Sequence, residues 1–129
     1  MAGIYIHIPF CSQACSYCDF HFSTSLKNKS NIISAINMEL KNEQLYLEGE
    51  SICTIYFGGG TPSLIDNILI ESILRTIHNN FNVSPNLECT IEANPEDISS
   101  NTINDWFTLG FNRISLGVQS FREQDLNYM

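Results

Sequence analysis

A chain of 129 residues has the size of one ordinary domain, and its 43% hydrophobic and 16% charged residues are typical of a globular rather than a disordered protein. The formal net charge of −8 argues against a non-specific nucleic-acid binder, which is normally basic. No apolar run is long enough to span a bilayer, and no basic segment precedes an apolar one at the N-terminus. We therefore expect a cytoplasmic protein without a transmembrane segment or secretory signal.

Short apolar runs alternate with helical stretches along the whole sequence. The predicted strands are residues 4–8, 52–57, 87–93 and 112–118. The predicted helices are residues 28–48, a second from an Asp66 cap to about residue 80, a third from a Ser99 or Ser100 cap to Gly110, and a fourth beginning at Glu123. This β-α-β-α-β-α-β order predicts an α/β fold with a parallel sheet and right-handed crossovers. Four parallel strands cannot close a barrel, so the sheet is expected to be an open part of one.

Three cysteines follow the first predicted strand with the spacing Cys-x3-Cys-x2-Cys: Cys11, Cys15 and Cys18. A [4Fe–4S] cluster usually takes four thiolates, so three from one loop leave one iron open to bind a further ligand. A zinc site with His7 or His21 as the fourth ligand is one alternative. Three buried cysteines without a metal are another, although free cysteines normally pack singly. The clustering favours the iron–sulfur interpretation, with His7 as a core or barrel-lumen residue.

Polar or glycine-rich residues follow each of the later strands. Gly58–Gly60 follow the second strand, Glu92 ends the third and Gln119 follows the fourth. Taken singly, these residues are compatible with an ordinary glycine turn, an exposed carboxylate and a turn-stabilising amide. The carboxyl ends of parallel strands meet at one edge of a sheet, so together they predict a binding site there. Cys53 and Cys89 lie within strands and are predicted to be inert buried thiols.

The order of the motifs resembles a known family. The cysteine spacing, with an aromatic residue before the last cysteine, resembles the radical S-adenosylmethionine (SAM) superfamily. The strings Tyr-Ile-His-Ile-Pro-Phe-Cys, Tyr-Phe-Gly-Gly-Gly-Thr-Pro-Ser and Gly-Val-Gln-Ser-Phe resemble the oxygen-independent coproporphyrinogen III oxidases and the related HemW-type haem chaperones. Members are longer, with a partial (βα)6 barrel and a C-terminal domain. The resemblance therefore implies that residues 1–129 are the N-terminal part of the radical SAM core domain.

The resemblance also implies a set of site residues and cofactors. The implied cofactors are a [4Fe–4S] cluster and SAM, with haem as a further ligand. Reductive cleavage of SAM by the cluster would give methionine and a 5′-deoxyadenosyl radical that abstracts hydrogen from a substrate. The implied cluster ligands are Cys11, Cys15 and Cys18, and the implied SAM-site residues are Tyr5, Tyr17, Gly59, Gly60, Thr61, Glu92 and Gln119.

The residues after the third cysteine separate two branches of this family. The oxidases typically carry a further cysteine two positions after the third, whereas Cys18 is followed by Asp19 and Phe20, as in the HemW branch. The resemblance thus implies a haem chaperone, with haem or a porphyrin, an electron donor and haem-recipient respiratory proteins as partners. The first alternative is an oxidase that converts coproporphyrinogen III to protoporphyrinogen IX by oxidative decarboxylation. The second is an iron–sulfur electron-transfer module that does not use SAM.

Overall fold

Strands and helices alternate along the chain as the sequence predicts. The structure, a computed structural model, describes residues 2–11, 23 and 25–128. Its main elements are β1 (Ala2–Ile8), α1 (Lys29–Asn42), β2 (Ile52–Gly59), α2 (Asn67–Asn80), β3 (Val83–Ala93), α3 (Ser100–Leu109), β4 (Arg113–Leu116) and α4 (Glu123–Tyr128). The predictions for Cys15, Tyr17, Cys18 and His21 lie outside the described residues. Within the described part, no helix is long and apolar enough to cross a membrane.

The four strands form one parallel sheet in the order β1-β2-β3-β4. The register places Ile8 beside Gly59 and Glu92 beside Ser115, so the carboxyl ends of all four strands lie at the same edge. The arrangement confirms the predicted α/β class with an open, partial barrel. It also confirms that the residues following each strand meet at one edge.

One face of the sheet is packed against the helices. Trp106 of α3 is 2% exposed, and the isoleucines at the centre of the sheet and helices are fully buried. Each fully buried isoleucine stabilises the fold by about 1.5–3 kcal/mol relative to an exposed one. The main members of this core are Ile6, Ile8, Ile33, Ile55, Phe57, Ile70, Ile73, Ile77, Ile91 and Trp106. The opposite face is open, and Tyr5 on that face is 57% exposed.

The helix boundaries differ from the sequence prediction at α1. This helix ends at Asn42, six residues before the predicted end at residue 48 (48 − 42 = 6). The chain continues in turns, and Glu48 and Gly49 adopt positive φ values of 49° and 80°. The prediction was wrong because Leu47 continues the apolar spacing of the helix. It packs against the core from the turn instead.

The helix caps agree with the prediction in position but not always in chemistry. Ser99 caps α3 by accepting a hydrogen bond from the Thr102 amide at 3.1 Å, and Gly110 ends it with φ +103°. Asp66 occupies the cap position of α2, but its carboxylate makes no cap hydrogen bond. It pairs instead with Lys29 Nζ at 2.8 Å. An ion pair between α1 and the start of α2 thus replaces the predicted cap.

Strands β3 and β4 also differ in length from the prediction. β3 begins at Val83, before the predicted start at residue 87. The prediction began too late because Pro85, which cannot donate a backbone hydrogen bond, made residues 83–86 look unlike a strand. β4 begins at Arg113 rather than at Asn112, because the Asn112 side chain binds the β3 backbone. Cys89 is buried as predicted, whereas the prediction for Cys53 was wrong, since this thiol is only half-buried.

Candidate functional site

The cysteine loop starts and ends on adjacent backbone segments. The Cys11 amide donates to the Ser23 carbonyl at 3.2 Å, and the Ser23 amide donates to the Pro9 carbonyl at 2.7 Å. Phe10, between Pro9 and Cys11, forms a parallel bridge with Ser23 and is 2% exposed. These contacts close the base of the loop and hold the half-buried Cys11 thiol directly after β1.

The glycine turn after β2 packs onto this loop base. The Gly60 amide donates to the Ile8 carbonyl at 2.7 Å, and the Thr61 amide donates to the Phe10 carbonyl at 2.6 Å. A Cβ atom on Gly60 would lie 2.9 Å from Cys11 Sγ and 2.8 Å from the Phe10 carbonyl carbon. Glycine is therefore required at this position, since any side chain would displace the first cysteine.

Gly59 links the glycine turn to the third strand. Its φ of +113° favours glycine, and an added Cβ would lie 2.7 Å from the His7 ring. The Gly59 amide donates to Glu92 Oε2 at 3.2 Å. Gly59 and Gly60 thus bind backbone or side-chain oxygens on both neighbouring strands. They form a cradle without side chains between Cys11 and Glu92.

Glu92 lies at the end of β3 with a hydrogen bond to each carboxylate oxygen. Tyr56 Oη donates to Oε1 at 2.6 Å, and the Gly59 amide donates to Oε2. Tyr5 stacks on Tyr56 with ring centroids 5.9 Å apart, and its hydroxyl lies 3.3 Å from His7 Nδ1. The pKa of Tyr56 is raised, chiefly because its phenol donates to Glu92. Burial and the nearby Glu92 charge raise the pKa of Tyr5.

The turn after β4 places Gln119 at the same edge. Gln119 adopts φ +53°, an uncommon conformation for a residue with a side chain and one that recurs at functional sites. The Gly117 amide donates to the Ala93 carbonyl at 2.9 Å, which fixes this turn beside the end of β3. A Cβ on Gly117 would meet the Gln119 amide nitrogen at 2.8 Å, so the amide lies against this glycine.

The structure brings most of the predicted site residues together. Cys11 Sγ lies against Gly60, and the Thr61 amide donates to the Phe10 carbonyl. The Gly59 amide donates to the Glu92 carboxylate. Sequence reasoning missed Tyr56. The signal in the sequence was its place in the string Tyr-Phe-Gly-Gly-Gly-Thr-Pro-Ser, two residues before Gly58. Its pairing with Tyr5 becomes visible only in the strand register.

The described residues offer one thiol ligand for a [4Fe–4S] cluster and one carboxylate for a cation such as SAM. Cys11 offers a half-buried thiol beside Gly60, where a single added Cβ would fill the space next to the sulfur. The anionic Glu92 carboxylate suits a cationic ligand. Within residues 2–11, 23 and 25–128, no group of three or more His, Cys, Asp or Glu side chains could hold a metal ion. The remaining two predicted cluster ligands lie outside this part of the chain.

Comparison with known proteins identifies the family. A sequence model described as the Radical SAM superfamily matches residues 5–128. The chain belongs to the radical SAM superfamily. It is 38% identical over 127 residues to the "Heme chaperone HemW" of Escherichia coli (strain K12), covering 96% of this chain and 33% of that protein. It is 35% identical over 126 residues to the "Heme chaperone HemW" of Buchnera aphidicola subsp. Acyrthosiphon pisum, covering 96% of this chain and 34% of that one.

A solved structure supports the same assignment. The chain superposes with a TM-score of 0.87 and 27% identity on coproporphyrinogen III oxidase (HemN) from Escherichia coli, which is described as a radical SAM enzyme. The match covers 97% of this chain and 29% of that one. The chain thus spans about a third of the length of the curated relatives it matches. Both the predicted family and the predicted partial-barrel fold are confirmed.

Proposed function

We propose that Cys11, Cys15 and Cys18 hold a [4Fe–4S] cluster with one open iron, and that SAM binds beside it at the carboxyl edge of the sheet. Membership of the radical SAM superfamily implies both cofactors in general. The observation that carries the assignment is the contact of Cys11 Sγ with the side-chain-free face of Gly60. It joins the cysteine loop to the glycine turn, so a ligand of the open iron would lie on the turn.

Each residue of the cradle has a distinct task in this proposal. Gly59 and Gly60 are the part of the site against which the amino and carboxylate groups of SAM would lie, because neither residue adds a side chain of its own to this crowded edge. Thr61 is 8% exposed and anchors the turn to the loop base. Glu92 keeps unused acceptor positions on both oxygens for ribose hydroxyls or for the sulfonium charge. Gln119 supplies an amide at the same edge.

The aromatic residues shield this edge of the sheet. Tyr5 and Tyr56 stack at the side of Glu92, and the buried Phe10 covers the loop base. Tyr17 is assigned to the same lining on the strength of the sequence. Exclusion of water strengthens the electrostatic interactions of Glu92 with a bound cation. When bound, the reduced cluster supplies the electron that cleaves SAM.

We further propose that the protein acts as a haem chaperone in the reducing cytoplasm, and that the chain forms the N-terminal part of its radical SAM core domain. Several relatives at 33–38% identity carry the name "Heme chaperone HemW". Phe20 stands where the oxidase branch has its further cysteine. Haem would be the cargo, haem-recipient respiratory proteins the destination, and a separate electron donor would reduce the cluster.

Coproporphyrinogen III oxidation is the second candidate function. A specific observation favours it, because the solved structure with a TM-score of 0.87 is that of an oxidase. Both candidates share the cluster and the SAM site. They differ in the porphyrin chemistry that follows.

Cluster and SAM binding are tested by anaerobic reconstitution followed by EPR of the reduced protein with and without SAM. We expect a [4Fe–4S] signal that changes on addition of SAM and is lost in Cys11→Ala. Cys53→Ala is the matched control, because this half-buried cysteine lies in β2 away from the loop. A cluster that does not respond to SAM would favour an electron-transfer module, and bound zinc without iron would refute the assignment.

The two porphyrin functions are separated with the full-length protein. Haem titration followed by absorbance should give stoichiometric binding if the protein is a chaperone. Incubation with coproporphyrinogen III, SAM and a reductant should give no protoporphyrinogen IX. Turnover of coproporphyrinogen III without retention of haem would establish the oxidase instead.

A further inference from the structure

Tyr56 occupies a position between three parts of the candidate site. Its hydroxyl donates to Glu92 Oε1 at 2.6 Å, its ring stacks on Tyr5, and its strand leads into the glycine turn. Tyr56 is the first residue of the Tyr-Phe-Gly-Gly-Gly-Thr-Pro-Ser string, but the resemblance assigned no role to it. Its single donor is used on the carboxylate that would face SAM.

Gly58 shows that this arrangement is tightly packed. A Cβ at Gly58 would lie 2.8 Å from Tyr56 Cε1, 3.0 Å from Tyr5 Cε2 and 3.1 Å from Glu92 Oε2. The Tyr56 and Tyr5 rings and the Glu92 carboxylate therefore all lie next to Gly58, which has no side chain. The absence of a side chain at Gly58 leaves room for the Tyr56 ring, whose hydroxyl reaches Glu92 from this position.

The two hydrogen bonds to Glu92 come from different kinds of donor. The Gly59 amide is fixed by the backbone, whereas the Tyr56 hydroxyl is a side chain on the neighbouring strand. A carboxylate held at both oxygens cannot rotate without breaking both bonds. Hydrogen bonds to charged groups are roughly twice as strong as neutral ones, so the phenol contributes substantially to the orientation.

We propose that Tyr56 is a positioning residue for SAM binding, which fixes the orientation of the Glu92 carboxylate that contacts the cofactor. This inference rests on the proposed function, because it assigns SAM to the Glu92 side of the cradle. Glu92 touches the ligand, and Tyr56 acts through Glu92. Tyr5 supports the phenol ring by stacking on it.

The test uses four forms of the cluster-loaded full-length protein besides the wild type: Tyr56→Phe, Glu92→Ala, the double variant, and Tyr46→Phe. Tyr46 is the matched control, because it loses the same hydroxyl at a site 79% exposed. Iron and sulfide content and the EPR signal without SAM report whether each variant folds and holds its cluster. SAM affinity is measured anaerobically by equilibrium dialysis and by EPR titration.

We expect Tyr56→Phe to raise the Kd for SAM about tenfold, which corresponds to about 1.4 kcal/mol. The EPR line shape at saturating SAM should stay that of the wild type, since only the affinity depends on the phenol. Tyr46→Phe should bind as the wild type does. In the Glu92→Ala background, where the phenol has no carboxylate to orient, the Tyr56→Phe change should have no further effect on the Kd for SAM. A merely structural role of Tyr56 would not give this result.

Other results would overturn the inference in distinguishable ways. Weaker binding in Glu92→Ala together with unchanged binding in Tyr56→Phe would refute the role of Tyr56 and leave the proposed SAM site intact. A Tyr56→Phe effect that persists in full in the double variant would show that Tyr56 acts independently of Glu92. Absence of SAM binding by the wild type would refute both the site and the inference.

Discussion

Replacement of Gly60 by alanine should damage both stability and the cluster site. The added Cβ would press against the Phe10 carbonyl and lie 2.9 Å from Cys11 Sγ. Overpacking of this kind costs about 1–3 kcal/mol. Displacing the turn also weakens the amide hydrogen bonds from Gly60 to Ile8 and from Thr61 to Phe10, at about 0.5–1.5 kcal/mol each. The free energy of unfolding should therefore fall by about 2–6 kcal/mol.

Urea unfolding followed by circular dichroism measures the loss of stability, and iron analysis after anaerobic reconstitution measures cluster binding. Gly49→Ala is the matched control. Gly49 also has a positive φ, of 80°, but a Cβ there would meet no atom within 4 Å. Its cost is limited to backbone strain of about 1–2 kcal/mol, with full iron content. Equal stability and equal iron content in the two variants would refute the packing argument for Gly60.

Three further predictions concern the scaffold. In urea titrations, Trp106→Ala should lower the free energy of unfolding by about 3–5 kcal/mol. Phe107→Ala should change it by about 0.5 kcal/mol or less, because Phe107 is 74% exposed. Equal effects of the two substitutions would contradict the placement of α3. Asn112→Ala removes two hydrogen bonds of the Asn112 side chain, one to the Leu87 carbonyl and one from the Cys89 amide. The urea midpoint should therefore fall by an amount equivalent to about 1–3 kcal/mol. An unchanged midpoint would show that the Asn112 side chain does not stabilise β3 in this way. Burial raises the pKa of the Cys89 thiol to about 12, so iodoacetamide at about pH 9 should modify it in urea but not in the native protein, as peptide mass spectrometry would show.

The alternation of elements was predictable because it depends on local patterns. Apolar runs and helical spacing gave all four strands and four helices in the correct order. The boundaries depend on tertiary contacts that the sequence does not display. Leu47 continues the spacing of α1 but packs from a turn, and Asp66 pairs with Lys29 instead of capping α2. Both of these errors arose where a side chain had a competing partner distant in sequence.

The candidate site was predictable at the level of the sheet edge. Residues after parallel strands must converge there, so Gly59, Gly60 and Glu92 could be grouped before the fold was known. The contacts between them could not, because they depend on the strand register. The register places Tyr56 beside Tyr5 on the neighbouring strand. It also brings the Tyr56 hydroxyl to a carboxylate 36 residues away in sequence.

The glycine turn couples the two halves of the site mechanically. Within two consecutive residues, the Gly59 amide binds Glu92 on β3 and the Gly60 amide binds Ile8 on β1. Any shift of this turn must therefore move the Glu92 carboxylate relative to the loop base that carries Cys11. The distance between the carboxylate and the Cys11 thiol is set by a short backbone segment that follows a central strand, and such a segment is more rigid than a pair of side chains. In the proposed SAM site, this geometry lets few protein residues bind a cofactor that touches both ends.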